Sequence, residues 1–212
     1  MTHDEQVPSR PQESPDHRPR RRLATGDLAR ISVFAALIAV LGLPGAVNLL
    51  GNAVPITLQT FGVMLAGAVL GARRGALAIA VLLVLVAAGL PLLAGGRGGL
   101  GVFTGPSAGF LIGWLPGAAV VGWIAGNGDR TPGITRLLAA CLAGGIGVVY
   151  LLGVPVQAAV TGLPLAKAWA LSSIFVPGDL VKAVLASVVA RGVFRAYPAA
   201  GGERAAAAKG RL

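Results

Sequence analysis

The sequence GALAIAVLLVLVAAGLPLL, residues 75–93, decides the fold class, because it runs for nineteen residues without a charged side chain. At about 1.5 Å of rise per residue, a helix of this length covers roughly 28 Å, close to the hydrocarbon thickness of a bilayer. The sequence therefore predicts an all-α integral membrane protein with six transmembrane helices. The other five apolar stretches lie near residues 28–43, 56–71, 108–125, 136–160 and 177–195.

The composition agrees with a helical membrane protein. Only 12% of the 212 residues are charged, whereas a soluble domain carries about 25%. The 32 glycines suit helices that pack closely in lipid, where small residues replace the hydrophobic effect as the basis of association. Because Cys141 is the only cysteine and both histidines, His3 and His17, lie near the N-terminus, we predict no disulfide within the chain, no metal site and no cofactor.

Three regions are predicted along the chain. Residues 1–26 are rich in proline and arginine and are expected to form a disordered cytoplasmic tail. Residues 27–196 form the membrane domain, and residues 197–212 form a cytoplasmic C-terminal tail. The N-terminal arginines precede a long apolar segment without a cleavage-like site, so we do not expect a signal peptide.

The distribution of basic residues predicts the orientation. If the N-terminus is cytoplasmic, the tails, the 72–75 turn and the 126–135 loop hold nearly all arginines, and the outer loops hold only Arg97 and Lys167. This asymmetry places both termini in the cytoplasm. Since the basic residues mark loops and tails rather than one face, no nucleic-acid partner is expected.

A few polar residues are not explained by topology. Asp179 is the only acidic residue inside an apolar stretch, and Lys182 lies three positions later, on the same helix face. An ionised group near hydrocarbon costs at least about 2.5–3.5 kcal/mol, so such a pair indicates a use. With the predicted topology, Gln59 and Arg97 reach the same outer side. We predict that these four residues form a binding site for a small polar molecule, with Tyr150 as a further lining residue.

Simpler interpretations of the same residues remain open. Asp179 and Lys182 could be a structural ion pair that staples two helices, or Asp179 could cap a helix that begins at Pro177-Gly178. Residues 96–101 match G-x-G-x-x-G but follow a helix, so a dinucleotide site is not supported. No phosphate-binding loop, nucleophile motif or carboxylate pair is present, so the chain is not expected to be an enzyme or an ATPase.

Small residues recur four positions apart, on one helix face. Most of these pairs are expected to pack within the bundle. Ala35 and Ala39 could instead form a docking face for another membrane protein. The other pairs are Gly67 and Gly71, Gly109 and Gly113, and Gly122 and Gly126.

Several ordered segments resemble the BioY family, the biotin-binding S components of energy-coupling factor (ECF) transporters. The resemblance covers about residues 28–195. It is carried by VPITLQTFGVMLAG (54–67), GARRGA (71–76), GLP (89–91), GGRGGLG (95–101), GPSAG (105–109) and PGDLVK (177–182).

The resemblance implies a six-helix S-component fold in the cytoplasmic membrane, with a biotin pocket near the outer surface. It implies ligand contacts by Gln59, Arg97, Asp179 and Lys182. It also implies a transmembrane T component and two cytoplasmic ATPase subunits as partners, with Ala35 and Ala39 facing the T component. The leading hypothesis is biotin uptake. An S component for another anionic vitamin and a non-transporting scaffold protein are the alternatives, and an intramembrane enzyme is the weakest.

Overall fold

The computed structural model describes residues 24–45, 54–126 and 131–197 of the chain, and these are almost entirely helical. The β-structure in these ranges is limited to isolated bridges, one of them between Leu93 and Arg97. The all-α prediction is confirmed for this part of the chain. The helices are α1 (Thr25–Val40), α2 (Gln59–Leu70), α3 (Ala72–Ala87), α4 (Ala108–Gly126), α5 (Ile134–Ala140), α6 (Val149–Thr161), α7 (Leu165–Ser172) and α8 (Val176–Ala196).

Two pairs of these helices are continuous. A π-helical segment, Cys141–Val148, joins α5 to α6, and a 3₁₀ turn, Ser173–Phe175, joins α7 to α8. The chain is therefore helical from Ile134 to Thr161 and from Leu165 to Ala196. All six apolar stretches predicted from the sequence are largely helical, but α7 was not predicted.

Within the described residues, three helices are long and apolar enough to cross a membrane, and they span 108–126, 134–161 and 165–196. Much of the outward surface of α8 is apolar and exposed, for example at Val181 and Val188, as expected of a helix in contact with lipid. The chain is thus a helical membrane protein. Helices α1, α2 and α3 are shorter, with 16, 12 and 16 residues. Residues 1–23 and 198–212, which make up most of the two predicted tails, lie outside the described residues.

Helix α4 is the centre of the bundle and packs against α2, α3 and α6. Its close packing depends on glycine. A Cβ atom built on Gly122 would collide with the backbone of Gly71 and Ala72, and one on Gly67 would lie 2.5 Å from the carbonyl oxygen of Ala118. The predicted packing role of these small residues is confirmed at Gly67 and Gly122.

One end of the bundle collects basic side chains, and we call it the basic end. Arg74, at the start of α3, forms an ion pair with Asp27 of α1 at 2.8 Å. The Arg136 side chain donates to the carbonyl oxygen of Ile124 at 2.7 Å, and Arg191 donates to that of Pro132 at 3.1 Å. These bonds bring together the starts of α1, α3 and α5 and the ends of α4 and α8. The loop of residues 88–107 joins the far ends of α3 and α4, and we call that end of the bundle the loop end.

Candidate functional site

A single pocket near the loop end brings together all five residues predicted to bind a ligand. Gln59, Arg97, Tyr150, Asp179 and Lys182 all line it, although they come from four separate parts of the chain. The pocket opens to the outside of the protein, and its empty space, including the open mouth, is about 560 Å³. The structure thus brings these five residues together, and that they bind a ligand stays a prediction.

The inner polar part of the pocket is a hydrogen-bonded group of four side chains, here called the Asp179 cluster: Thr60, Tyr150, Asp179 and Lys182. The Lys182 ammonium lies 2.9 Å from Asp179 Oδ1, and the Tyr150 hydroxyl donates to Asp179 Oδ2 at 2.6 Å. Thr60 Oγ1 accepts from Lys182 at 3.1 Å and lies 3.4 Å from Asp179 Oδ1. The cluster thereby ties α2 and α6 to α8.

The Asp179 cluster retains hydrogen-bonding capacity. A carboxylate can accept about four hydrogen bonds and an ammonium can donate three. Asp179 accepts from Lys182, Tyr150 and Thr60, and Lys182 donates to Asp179 and Thr60. By this count, one acceptor position of the carboxylate and one N–H of the ammonium remain, on two buried groups that lie 2.9 Å apart. A ligand group with an N–H next to a carbonyl complements this arrangement.

Asp179 does not cap a helix. The residue before α8 is Phe175, and no side chain caps this helix. The carboxylate oxygens of Asp179 instead accept from other side chains, so the capping interpretation is wrong. The ion pair of the other simple interpretation is present, but it lines a pocket, which a helix staple does not require.

Gln59 is placed at the pocket but is engaged with the backbone. Its side-chain nitrogen donates to the carbonyl oxygens of Ile38 at 3.1 Å and Leu92 at 3.0 Å, and its oxygen accepts from the N–H of Ala94 at 3.0 Å. Both amide hydrogens are thus committed. Gln59 thereby ties α1 and the 88–107 loop to α2. It also lines the pocket, and contact of Gln59 with a ligand stays a prediction.

Arg97 is held in place by two hydrogen bonds. Its Nε donates to the carbonyl oxygen of Ala94 at 3.2 Å, and its Nη1 donates to the Ser107 hydroxyl at 3.1 Å. Because a guanidinium has five N–H groups, donors remain for an anion in the pocket. Partial burial lowers the pKa of the Arg97 guanidinium from its ordinary value, yet arginine stays protonated in proteins.

The remaining walls of the pocket are apolar. Phe110 meets Tyr150 edge to face, with ring centroids 5.9 Å apart and an interplanar angle of 81°, and Trp114 lies one turn further along α4. Phe175 and Val149 also contribute. Such walls suit the hydrocarbon part of an amphipathic ligand.

Sequence reasoning missed Thr60, Ser107 and Trp114 as lining residues. Thr60 follows Gln59 directly, and Ser107 immediately precedes α4, so both lie within segments that the sequence had singled out. A single hydroxyl or indole in an apolar segment carries little signal by itself, because its partners are known only from the packed structure.

Ala35 packs inside the protein rather than on its surface. It is 4% exposed and belongs to the main core, and Ala39 is partly buried against the same core. The exposed face of this part of α1 consists of Ser32, Val33, Ala36 and Val40. The structure thus provides no free surface at Ala35, and contact of Ala35 and Ala39 with a partner stays a prediction.

This chain is similar to known proteins in both sequence and fold. A family model described as "BioY family" matches residues 14–199. The "Biotin transporter BioY" of Rhizobium etli is 47% identical over 182 residues, covering 83% of this chain and 97% of that protein. The protein of the same name from Rhodobacter capsulatus is 49% identical, covering 80% and 94%.

A solved structure agrees with these relatives. The crystal structure of the S-component for biotin from an ECF-type ABC transporter superposes with a TM-score of 0.75 at 30% identity. The match covers 80% of this chain and 91% of that one. Because the family model extends over the whole predicted membrane domain, residues 27–196, the chain belongs to the BioY family.

Proposed function

We propose that this chain binds biotin in the pocket at the loop end and serves as the biotin-specific S component of an ECF transporter. One observation carries the proposal: the buried Asp179 cluster offers a free acceptor beside a free donor, and Arg97 lines the same pocket. Two relatives carry the name biotin transporter, and the similar solved structure is an S component for biotin.

The chemistry of biotin fits the two polar parts of the pocket. Its ureido ring carries N–H groups beside a carbonyl, which complement the remaining acceptor of Asp179 and the remaining donor of Lys182. Its carboxylate pairs with the free N–H groups of Arg97 through charge-assisted hydrogen bonds. The aliphatic chain and the sulfur-containing ring contact the apolar walls at Phe110 and Trp114.

Six transmembrane spans with both termini in the cytoplasm complete the proposed topology. We place the chain in the cytoplasmic membrane with its basic end in the cytoplasm. The presence of Arg74, Arg136 and Arg191 at that end supports this orientation. The pocket near the opposite end then opens to the outside. A substrate captured from the medium would reach it without crossing the bilayer.

Energised import requires further proteins. The sequence contains no nucleotide-binding motif, so a transmembrane T component and two cytoplasmic ATPase subunits would supply ATP-driven transport. Helix α1 is the proposed contact element for the T component.

The experiment that tests the proposal is binding of radiolabelled biotin to the purified protein in detergent or liposomes. We expect saturable binding that unlabelled biotin displaces. An absence of saturable binding by folded protein would remove the biotin assignment. Saturable binding of another anionic vitamin, with none of biotin, would instead favour an S component of different specificity.

A further inference from the structure

Trp114 has a buried hydrogen-bond donor without a partner. Its side chain is 4% exposed, and its indole nitrogen makes no hydrogen bond to any residue that the structure describes. It is the only buried side-chain nitrogen or oxygen in the described ranges with this property. Most buried polar groups in proteins are paired, and leaving one unpaired destabilises the fold. The exception calls for an explanation.

The position of Trp114 explains its unpaired donor. The residue lines the pocket together with Phe110 and Leu111. An indole N–H is a donor only. The partner it lacks must therefore be an acceptor. The nitrogen is closed to solvent in the ligand-free structure, so a molecule in the pocket brings that acceptor only with a shift of the ring or of the pocket wall on binding. Trp123 and Trp169 differ in both respects, since they are exposed and do not line the pocket.

The distance along α4 indicates which end of a ligand Trp114 meets. Ser107, which holds the Arg97 guanidinium at 3.1 Å, precedes Trp114 by seven residues, or about 10 Å along a helix. A ligand whose carboxylate lies at Arg97 therefore places its far end, beyond the aliphatic chain, at the level of Trp114. In biotin that far end is the fused ring system.

We propose that the Trp114 indole N–H donates a hydrogen bond to the ureido carbonyl oxygen of biotin. This inference rests on the proposed function. The carbonyl oxygen has two lone pairs, so it accepts from Trp114 and from the remaining N–H of Lys182 together. The ring sulfur is a weak acceptor by comparison. Trp114 thus makes the pocket specific for a ring with an acceptor at this position.

The test compares three ligands on Trp114→Phe, which removes the N–H and keeps an apolar ring. Biotin and desthiobiotin both carry the ureido carbonyl, and desthiobiotin lacks the sulfur. In 2-iminobiotin, an imino group that is protonated at neutral pH replaces the carbonyl oxygen. We expect the Kd of the first two to rise about tenfold, since a buried hydrogen bond is lost, and that of 2-iminobiotin to change less than twofold.

The matched control is Trp123→Phe, the same substitution at a side chain that is 57% exposed; all three affinities should stay unchanged. An equal loss for the three ligands on Trp114→Phe would reduce Trp114 to a packing residue and overturn the inference. If Trp114→Phe weakened the binding of biotin but not of desthiobiotin, the N–H would donate to the ring sulfur instead, and the inference would be overturned. If the unsubstituted protein fails to bind biotin, the proposed function itself fails.

A second measurement does not depend on the folding of Trp114→Phe. Protein labelled with ¹⁵N-tryptophan has three indole N–H signals, one for each tryptophan, and Trp123→Phe and Trp169→Phe identify that of Trp114 by elimination. Saturation with biotin should move the Trp114 signal downfield, as a new hydrogen bond requires. A Trp114 signal that stays in place at saturation contradicts the inference.

Discussion

Asp179 and Lys182 form a buried ion pair. The pair has hydrogen-bond partners within the protein and also lines a pocket. Burying two charges costs several kcal/mol for each ion, which pairing alone repays only when further hydrogen bonds are made. Thr60 and Tyr150 supply those bonds. Asp179 and Lys182 also line a pocket, which a helix staple does not require.

Asp179→Asn is expected to weaken biotin binding at least tenfold, or by about 1.4 kcal/mol or more. The substitution removes the charge that pairs with Lys182 and replaces an acceptor by an amide, so the ureido N–H loses its charged partner. Equilibrium binding to the folded fraction of purified protein measures the effect. The control is Asp27→Asn, which breaks an ion pair at the basic end and should leave the Kd within twofold. Equal affinities of both variants would favour the staple.

Gln59→Leu is expected to lower the free energy of unfolding by roughly 2–4 kcal/mol, because three backbone groups lose a partner, two of them in buried hydrogen bonds. Thermal unfolding in detergent measures this change. The gain in Tm on adding saturating biotin should persist, since Gln59 positions the pocket wall. A variant with unchanged Tm that no longer binds biotin would make Gln59 a direct ligand contact after all.

The sequence predicted which charged residues meet at the site but not how they are bonded. Asp179 and Lys182 were detectable because charge is rare in apolar helices, and Arg97 because it lies in an outer loop with few charges. The engagement of Gln59 with the backbone was not predictable, since its partners at Ile38 and Leu92 lie in other segments. An unpaired indole is equally invisible until the packing around it is known.

At the scale of elements, hydropathy predicted where the six apolar stretches lie. For most of them, the predicted ends differ from the observed helix ends by only a few residues. Hydropathy did not predict one helix, α7, or the change of helix type between α5 and α6. Helix α7 contains Lys167 and follows Pro164, and these residues led to the prediction of a loop. The π-helical segment Cys141–Val148 arises from a change in backbone hydrogen bonding that residue types do not specify.

Gly122→Ala tests the close approach of α4 to the start of α3. The added Cβ would meet the backbone of Gly71 and Ala72, which cannot move aside as a flexible side chain can. We expect a loss of about 1–3 kcal/mol of stability, the usual cost of overpacking, seen as a lower Tm in detergent. The matched control is Gly192→Ala in α8, where no atom lies within 4 Å of the new Cβ.

Gly192→Ala should be neutral or slightly stabilising, by up to about 1 kcal/mol, because alanine favours a helix interior over glycine. The difference in Tm between the two variants isolates the contact from the general effect of removing a glycine. A Gly122→Ala protein as stable as Gly192→Ala would show that α3 and α4 are further apart than described.

At the scale of the whole molecule, the basic side chains and the polar pocket lie toward opposite ends of the bundle. Arginine side chains tie helix ends together at the basic end, and the polar pocket lies near the loop end. For a protein that takes up a solute, this separation has a direct use. In the proposed orientation, the basic residues stay on the cytoplasmic side, and the pocket faces the medium.

Single-cysteine labelling tests this orientation. Cys141 is buried, so Cys141→Ala provides a background in which Leu100→Cys reports on the loop end and Tyr197→Cys on the end of α8; both positions are exposed. An impermeant maleimide should modify Leu100→Cys in intact cells and Tyr197→Cys only in inverted vesicles. The reverse pattern would put the pocket in the cytoplasm, where it could not capture a vitamin from outside. Because each variant is the other's control, poor reactivity of one position cannot be mistaken for sidedness.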